Sequence, residues 1–295
     1  MKFLYSIIFL FFVPFALNGQ LISNVNGEAF EEQPYFNQEF IKKNKIKIIS
    51  GRFLFYQLGD QLRNTEYYQK YFFNEEGQLI KEEKMDKGGE AKGPLFTDYK
   101  YDKNGNLLSV ISQNSTSIFG YFYKYDEDNR KINIEYRQNY SSKEKGLGKE
   151  YVISSHKNSY AKYDNQLHKT VYNESGFPYL KVIHFYDDST SLLREIEETL
   201  IRSKNRKRHN YFYDDKGHLK KIVTVFNDGK NTNEIVFEYK KDGRIASRSE
   251  SNDNKPVKTT EVIYKNDSQF INDILIKDEI NNFIKVVELR QYEYY

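Results

Sequence analysis

Residues 211–219 read YFYDDKGHL, the clearest copy of a unit that recurs along the chain. Tyr211 and Tyr213 are two positions apart, so both rings project from the same face of an extended strand. Asp214 and Gly217 occupy the first and fourth positions of a tight turn, where a type I turn favours these residue types. An apolar residue two positions after the glycine restarts the alternation. The stretch therefore predicts one strand end, a tight turn and an antiparallel return strand.

The same unit recurs along the chain. Residues 99–107 read YKYDKNGNL, residues 71–79 read YFFNEEGQL, and residues 237–245 read FEYKKDGRI. Most units are about 26 residues apart, which leaves room for two strands and two turns. The sequence therefore predicts an antiparallel meander. Its structural repeat residues are Tyr71, Phe73, Gly77, Tyr99, Tyr101, Asp102, Gly105, Tyr123, Tyr125, Asp126, Tyr172, Gly176, Tyr186, Asp187, Tyr211, Tyr213, Asp214, Gly217, Tyr239 and Gly243.

Two spacings between these units are irregular. The step from Tyr125 to Tyr172 is 47 residues, and the step from Tyr172 to Tyr186 is 14. The long step is close to two units, so we expect one degenerate unit within residues 140–163. The short step is half a unit, the length of one hairpin arm.

The composition favours β-structure with one face in water. Of the 295 residues, 16% are aromatic, mostly Tyr (26) and Phe (22), while 38% are hydrophobic and 29% charged. Tyr and Phe favour pleated, half-buried positions, whereas a thick α/β core needs continuous apolar strands. A net charge of +3 argues against a nucleic-acid partner, and the absence of cysteine excludes disulfides and thiolate chemistry.

Residues 1–19 resemble a secretory signal peptide, with a basic start followed by an apolar run that is short for a membrane span. We expect cleavage after Gly19 and export to the periplasm, the cell surface or the medium, with an uncleaved anchor as the alternative. No later stretch is apolar enough to span a bilayer, so we expect no transmembrane segment after cleavage.

Residues 20–65 lack the repeat, and we interpret them as an N-terminal cap on a repeat domain of residues 66–295. A short helix is expected within residues 34–43, with Phe36, Phe40 and Ile41 on one side. Residues 46–49 and 53–56 are expected to be strands. Repeat arrays need ends that differ from the middle, because the first unit's apolar face must be covered.

The unit Tyr-x-Tyr-Asp-x-x-Gly-x-Leu resembles the YD repeat of the RHS family of bacterial secreted and surface proteins, over roughly residues 67–295. In large members of that family the repeats wind into a β-shell that encloses a toxin. The resemblance implies a short exported member without a toxin domain, with too few units to close a shell. We therefore predict an all-β fold: an antiparallel hairpin repeat array, as a curved meander or open solenoid-like sheet, with a short N-terminal helical cap.

One basic run lies directly before aromatic residues, and we take it as the candidate binding site. Cations beside aromatic rings suit an anionic polymer, which for an exported protein means an acidic glycan or a lipid headgroup. The alternative is a solvated hairpin tip, whose charges protect a sheet edge. The candidate residues are Arg202, Lys204, Arg206, Lys207, Arg208, Tyr211 and Tyr213.

Neither a metal site nor a catalytic site is predicted. The acidic turns that begin at Asp102 and Asp126 resemble calcium loops, but a calcium loop ends on a bidentate Glu at its twelfth position. Gln113 and Arg137 hold those positions here, so the acids are attributed to turn chemistry. No nucleophile elbow, paired-histidine motif or glycine-rich phosphate loop is present, and no cofactor is expected.

These observations predict an exported, non-catalytic β-repeat protein that binds an envelope or extracellular glycan, or a protein partner, through its sheet surface. A row of Tyr rings suits sugar stacking, although the same rings can form the core of a thin sheet. One alternative is a chaperone- or immunity-like accessory of an RHS-type secretion system. Another is a carbohydrate-active enzyme that uses paired carboxylates.

Overall fold

One short helix and 18 strands follow one another along the described part of the chain. The computed structural model describes residues 20–31, 35–57, 61, 63–86, 93–140, 150–227, 229, 231–266 and 268–295, so the predicted signal peptide lies outside it. The elements are α1 Gln38–Lys43, β1 Ile46–Gln57, β2 Arg63–Phe73, β3 Leu79–Met85, β4 Leu95–Tyr101, β5 Leu107–Gln113, β6 Ser117–Tyr125, β7 Lys131–Tyr140, β8 Glu150–Tyr163, β9 Gln166–Tyr172, β10 Pro178–Tyr186, β11 Leu193–Leu200, β12 Arg206–Tyr213, β13 Leu219–Phe226, β14 Asn231–Tyr239, β15 Ile245–Asn252, β16 Lys255–Tyr264, β17 Ile271–Asp278 and β18 Phe283–Tyr294.

The strands form a closed antiparallel barrel. Each strand pairs with the next one along the chain, from β1 with β2 to β17 with β18. The last strand, β18, then pairs with β1, as in the opposition of Phe53 and Val287. The prediction of an open sheet or solenoid-like array was therefore wrong. A repeat in sequence fixes each hairpin, but it carries no information on whether the first and last strands meet.

The repeated motif forms the turns at one end of this barrel. In the unit at residues 211–219, the Gly217 amide donates to the Asp214 carbonyl (3.0 Å), and the Asp214 amide donates to the His218 carbonyl (2.9 Å). Asp214 Oδ1 accepts from the amides of Lys216 and His218, both at 2.9 Å. Gly217 has a φ of +80°, which glycine adopts without strain. The acidic side chain therefore serves the turn itself.

The second aromatic of most units binds the unit before it. In six of the described units this residue is a tyrosine whose partly or fully buried hydroxyl donates to the carbonyl of the apolar residue that starts the preceding return strand. Such a bond satisfies two polar groups at once, which explains tyrosine rather than phenylalanine. The pairs are Tyr101 to Leu79 (2.9 Å), Tyr125 to Leu107 (2.8 Å), Tyr213 to Leu193 (2.9 Å), Tyr239 to Leu219 (2.8 Å), Tyr264 to Ile245 (2.8 Å) and Tyr292 to Ile271 (2.7 Å).

The irregular spacings have a topological cause. We call the end that carries the turns at residues 74–78, 102–106, 126–130, 214–218 and 240–244 the motif end. Successive hairpin turns alternate between the two ends, which places the turn at residues 173–177 at the opposite end. Tyr172 is therefore not equivalent to the other units, and the short step to Tyr186 spans β10 alone. The turn between β8 and β9, at residues 164–165, takes the missing place at the motif end.

The N-terminal segment lies inside the barrel. Residues directly opposed on neighbouring strands share a face, and one such face packs against the described residues of 20–45, which we call the plug. The Phe36 ring meets Tyr71 (centroids 4.7 Å apart) and Phe73 (5.1 Å), and the Phe40 ring meets Phe270 (5.6 Å). The plug therefore fills the motif end of the barrel from within.

The predicted helical cap was also wrong in its role. A helix exists, but α1 begins at Gln38, after Asn37, whose side chain accepts from the Phe40 amide (3.1 Å). Instead of covering the end of a linear array, α1 lies in the mouth of the closed ring, and β1, which follows it, is part of the wall. Amphipathic spacing predicted the buried side of the helix, with Phe40 and Ile41 buried, but not what covers that side.

The outer face of the barrel carries paired charges in the middle of its strands. Lys70 opposes Glu83, Lys81 opposes Asp98, and Glu197 opposes Arg208. The ammonium group of Lys221 lies over the Phe212 ring, 5.5 Å from its centroid, and 3.1 Å from Glu234. The outer face is therefore polar in the middle of these strands. Among the described residues, no helix is long and apolar enough to cross a membrane.

We expect Tyr213→Phe to destabilise the protein by about 1 kcal/mol, because the Leu193 carbonyl loses its hydrogen-bond donor. Urea denaturation at neutral pH measures the loss. The control is Tyr163→Phe, at a ring that is 57% exposed, where we expect a change within about 0.5 kcal/mol. Equal effects of the two substitutions would contradict a structural role for the buried hydroxyl.

Substitutions at two glycines of the motif turns distinguish the cost of backbone strain from the cost of a clash with the plug. Gly217 has open space where a Cβ would be added, so Gly217→Ala carries only the cost of its positive φ, roughly 1 kcal/mol. At Gly77 an added Cβ overlaps the Gln38 carbonyl oxygen and the Lys42 amide of α1. We expect Gly77→Ala to lower the unfolding midpoint clearly further and to expose the plug to limited proteolysis. Equal midpoints would show that α1 does not press on this turn.

Candidate functional site

The lumen contains a cavity of about 970 Å³ between the plug and the inner faces of β11–β15. Its apolar wall includes Ile196, Tyr211, Ile222, Phe226 and Ile235. These side chains alternate along their strands with outward-facing residues, so period-two patterning places them inside. The volume is in the range of small-molecule sites, which are mostly apolar with a few placed polar groups. The cavity is therefore the candidate functional site.

The floor of the cavity is the tip of the plug, and polar contacts hold it in shape. Glu28 accepts from the Ser23 hydroxyl (2.8 Å) and from the amides of Val25 (3.0 Å) and Asn26 (2.7 Å). Gly27 has a φ of +89°, and a Cβ at that position would overlap the Ile222 side chain. The tip therefore fits closely against β13, and a larger residue at Gly27 cannot be accommodated without movement.

An ion pair between a buried arginine of the wall and a partly exposed glutamate joins the plug to the barrel. The Arg248 side chain is fully buried and pairs with Glu31 of the plug and with Glu250 of its own strand. Asn24 donates to the Tyr239 hydroxyl (2.8 Å), and Gln20 accepts from the Ile245 amide (2.7 Å). These contacts therefore fix the depth at which the plug sits.

Ionisable side chains line the wall beside the cavity. His209 Nδ1 lies 2.9 Å from the Thr224 hydroxyl, and its Nε2 lies 3.9 Å from Glu198. Burial lowers the pKa of His209, and the neighbouring Lys207 lowers it further. Burial also lowers the pKa of His184 on β10. Both imidazoles are therefore held towards the neutral form, in which a ring nitrogen can accept a hydrogen bond from a ligand.

A second luminal feature is an aromatic group on β6 and β7. The Tyr121 ring lies parallel to Tyr123 (interplanar angle 11°, centroids 6.5 Å apart) and close to Tyr136 (5.0 Å). Tyr121 opposes Val110, which opposes the buried Tyr99, and this register places all three rings of the group on the luminal face. Tyr121 is 46% exposed, so part of its surface is open to a ligand.

The structure divides the predicted basic and aromatic site among three places. Arg202 and Lys204 lie in the exposed turn between β11 and β12, at the end opposite the motif turns. Arg206 and Arg208 lie on the outer face, where Arg208 pairs with Glu195 (3.4 Å) and Glu197 (3.3 Å).

The remaining predicted residues face the lumen. Lys207 and Tyr211 line the cavity. Tyr213 lies seven residues after Arg206 on β12, roughly 23 Å from it. Its hydroxyl donates to the Leu193 carbonyl. Because the seven predicted residues are close together in the sequence, they were predicted to form one surface. The alternation of side chains along the strand separates them.

Sequence reasoning missed Ile196, Ile222 and Ile235 as lining residues. Strand alternation does place each of these isoleucines on the same face as a repeat tyrosine or its neighbour. That pattern identifies lining residues only once this face is known to enclose a lumen. The Glu31–Arg248 pair joins positions 217 residues apart, and no local pattern marks it.

The sequence matches no protein-family model and no curated protein. Among solved structures, a porin-like protein from Bacteroides uniformis has 9% identity and a TM-score of 0.34, over 68% of this chain and 95% of that one. A porin-like protein from Bacteroides vulgatus has 10% identity and a TM-score of 0.35, over 85% and 98%. A LolA superfamily protein from Nitrosomonas europaea has 8% identity and a TM-score of 0.25, over 86% and 90%.

Likenesses at this level carry no argument about what the chain does. The predicted membership of the RHS/YD-repeat family was nevertheless wrong, because no family model matches and the hairpins close into a barrel of 18 strands. The short motif is a turn and bulge that antiparallel hairpins use generally, so its recurrence indicates hairpins and not a particular family.

The luminal histidines predict a loss of stability in mild acid. Because their pKa values are lowered from 6.5, the unfolded chain binds protons first as the pH falls below 6.5, and the unfolding free energy decreases. The turn carboxylate Asp214, with its pKa lowered from 3.8, stabilises above that value and loses its effect only at lower pH. We expect urea midpoints to fall between about pH 7.5 and pH 5.5.

The matched variant is His184→Gln with His209→Gln, which removes the two luminal histidines with lowered pKa values and should flatten this part of the profile. Glu82, whose pKa burial raises, opposes the trend in both proteins. The measured quantity is therefore the difference between variant and wild type across the pH range. An unchanged slope in the variant would rule out the luminal histidines as the cause.

Proposed function

We propose that this chain is a non-catalytic binding protein that holds a small amphipathic molecule inside its barrel. The observation that carries the proposal is the cavity of about 970 Å³, walled by half-buried Ile196, Tyr211 and Ile235 within a closed ring. An apolar body would lie against these side chains. A polar end would find Thr224, Asn233 or His209 on the same wall. The predicted binding through an outer sheet surface is replaced by binding in the lumen.

The barrel in this proposal is surrounded by water. A membrane-spanning barrel presents an apolar band to lipid, where mid-strand charges are costly. Opposed charges in mid-strand, such as Lys81 with Asp98 and Glu197 with Arg208, support an aqueous surround. Together with the predicted signal peptide, this supports an exported protein that carries or stores its ligand in the cell envelope or outside the cell.

A glycan remains a second candidate ligand, on the strength of one observation. The stacked luminal rings of Tyr121 and Tyr123, with Tyr136 beside them, offer a partly exposed aromatic surface of the kind that packs against sugar rings. In this version the ligand lies on the β6–β7 wall, away from the β11–β15 cavity. Substitutions on the two walls therefore distinguish the two ligands.

The test is a titration of purified residues 20–295 with the fluorescent amphiphile 1-anilinonaphthalene-8-sulfonate, followed by displacement with a fatty acid. Ile235→Asn places an amide on the cavity wall, and we expect it to weaken probe binding at least tenfold. Val236→Asn makes the same kind of change on the outer face of the same strand, and it should leave binding within twofold. Far-UV circular dichroism checks that both variants fold.

Three outcomes decide between the candidates. Loss of probe binding in the Ile235→Asn variant but not in the Val236→Asn variant supports binding in the cavity. Equal affinities for both variants, or no saturable binding by the wild type, would overturn it. Soluble oligosaccharide binding that Tyr121→Ala abolishes and Ile235→Asn does not would favour the glycan.

A further inference from the structure

Two neighbouring turns and the start of β8, all at the end opposite the motif turns, carry exposed apolar side chains. Val152 at the start of β8 is 56% exposed, Phe177 in the β9–β10 turn is 62% exposed, and Ile201 in the β11–β12 turn is 42% exposed. Side chains of this size are mostly covered in a folded chain, and a group of them on a rim marks an interaction site.

Hydrogen bonds place these three segments side by side. The Ser155 amide of β8 donates to Glu174 Oε1 of the β9–β10 turn (3.0 Å). The Ile201 amide donates to the Tyr179 carbonyl at the start of β10 (3.0 Å). The β9–β10 turn therefore lies between β8 and the β11–β12 turn, and the exposed side chains form one continuous arc. We call residues 151–155, 173–177 and 200–206 the rim arc.

The rim arc is also basic. Arg202, Lys204 and Arg206 are exposed on it, and its one acidic residue is Glu174, which already accepts from Ser155. Other turns of the same end are acidic, as at Asp253 and at Asp278 with Glu279. Among the described turns of this end, the rim arc therefore combines positive charge with exposed apolar side chains, whereas the exposed Ile280 lies beside Asp278 and Glu279. The three cations of the rim arc belong to the part of the predicted basic site that does not face the lumen.

We propose that the rim arc docks on an anionic lipid bilayer. Apolar side chains that enter the acyl boundary, flanked by Lys and Arg at headgroup level, are the combination by which peripheral proteins bind membranes. The long stems of Arg202 and Lys204 can lie along the interface while their charges stay in water. The apolar residues occupy separate turns and a strand end rather than one flat area, which suits insertion better than a protein interface.

Docking would bring the lumen to the membrane. Asn252 and Asp253, at the same end as the rim arc, line the cavity. A docked barrel would therefore open towards the bilayer, and an amphipathic ligand could pass between the two without crossing bulk water. The inference rests on the rim residues alone and goes beyond the proposed function, so it stands or falls separately from the identity of the ligand.

The test is co-sedimentation of residues 20–295 with two kinds of vesicle. One is phosphatidylcholine alone, and the other is roughly two parts phosphatidylcholine to one part phosphatidylglycerol. We expect binding to the anionic vesicles that weakens with added salt. The triple variant Arg202→Gln, Lys204→Gln, Arg206→Gln should weaken it roughly a hundredfold, from about a factor of five for each charge. Phe177→Ser with Ile201→Ser should weaken it as well, because insertion is lost.

A matched control removes the same charge from the other end of the barrel, through Lys103→Gln, Lys216→Gln and Lys241→Gln. It should bind anionic vesicles within twofold of the wild type. Failure of the wild type to bind, or equal losses in the two triple variants, would overturn the proposal. Capture of a protein through the rim arc in place of vesicle binding would overturn it too. Unchanged 1-anilinonaphthalene-8-sulfonate binding in the rim variants separates this result from that of the cavity.

Discussion

The pairing of β1 with both β2 and β18 is the constraint on which the rest of the structure depends. It removes the two free edges that a meander of 18 strands would otherwise expose to solvent and to other chains. It also turns one face of every strand into an interior. The alternation of side chains along a strand thereby becomes a division between a lumen and an outer wall.

A ring of this size encloses more space than its own side chains can fill, and barrels with similar strand numbers leave a water-filled channel or hold a plug. Here the plug occupies the motif end, where Phe36 meets Tyr71 and Phe73. The Glu31–Arg248 pair and the bond from Asn24 to Tyr239 fix its position. The cavity lies between the plug and the inner faces of β11–β15, so its shape depends on the plug as much as on the wall.

The hairpins could be predicted from the sequence, and the ring could not. Tyr-x-Tyr-Asp-x-x-Gly encodes a strand end and a turn through local backbone chemistry, which is why units such as residues 99–107 and 211–219 were recognised. The bond from each tyrosine hydroxyl to the preceding unit, as from Tyr239 to Leu219, was invisible because it is a contact between hairpins. The same limit applied to the site: Lys207 and Arg208 are adjacent in sequence yet face the lumen and the outside.

The position of the plug also has a consequence for the order of assembly. The plug and β1 come first along the chain, whereas β18, the second neighbour of β1, comes last. A chain that is synthesised from its N-terminus must keep the edge of β1 and the apolar side of α1 exposed until the C-terminal strand has been made. The final pairing then encloses the plug in a single topological step. During the long interval before that step, the exposed edge of β1 and the apolar side of α1 are the surfaces that a chaperone would bind.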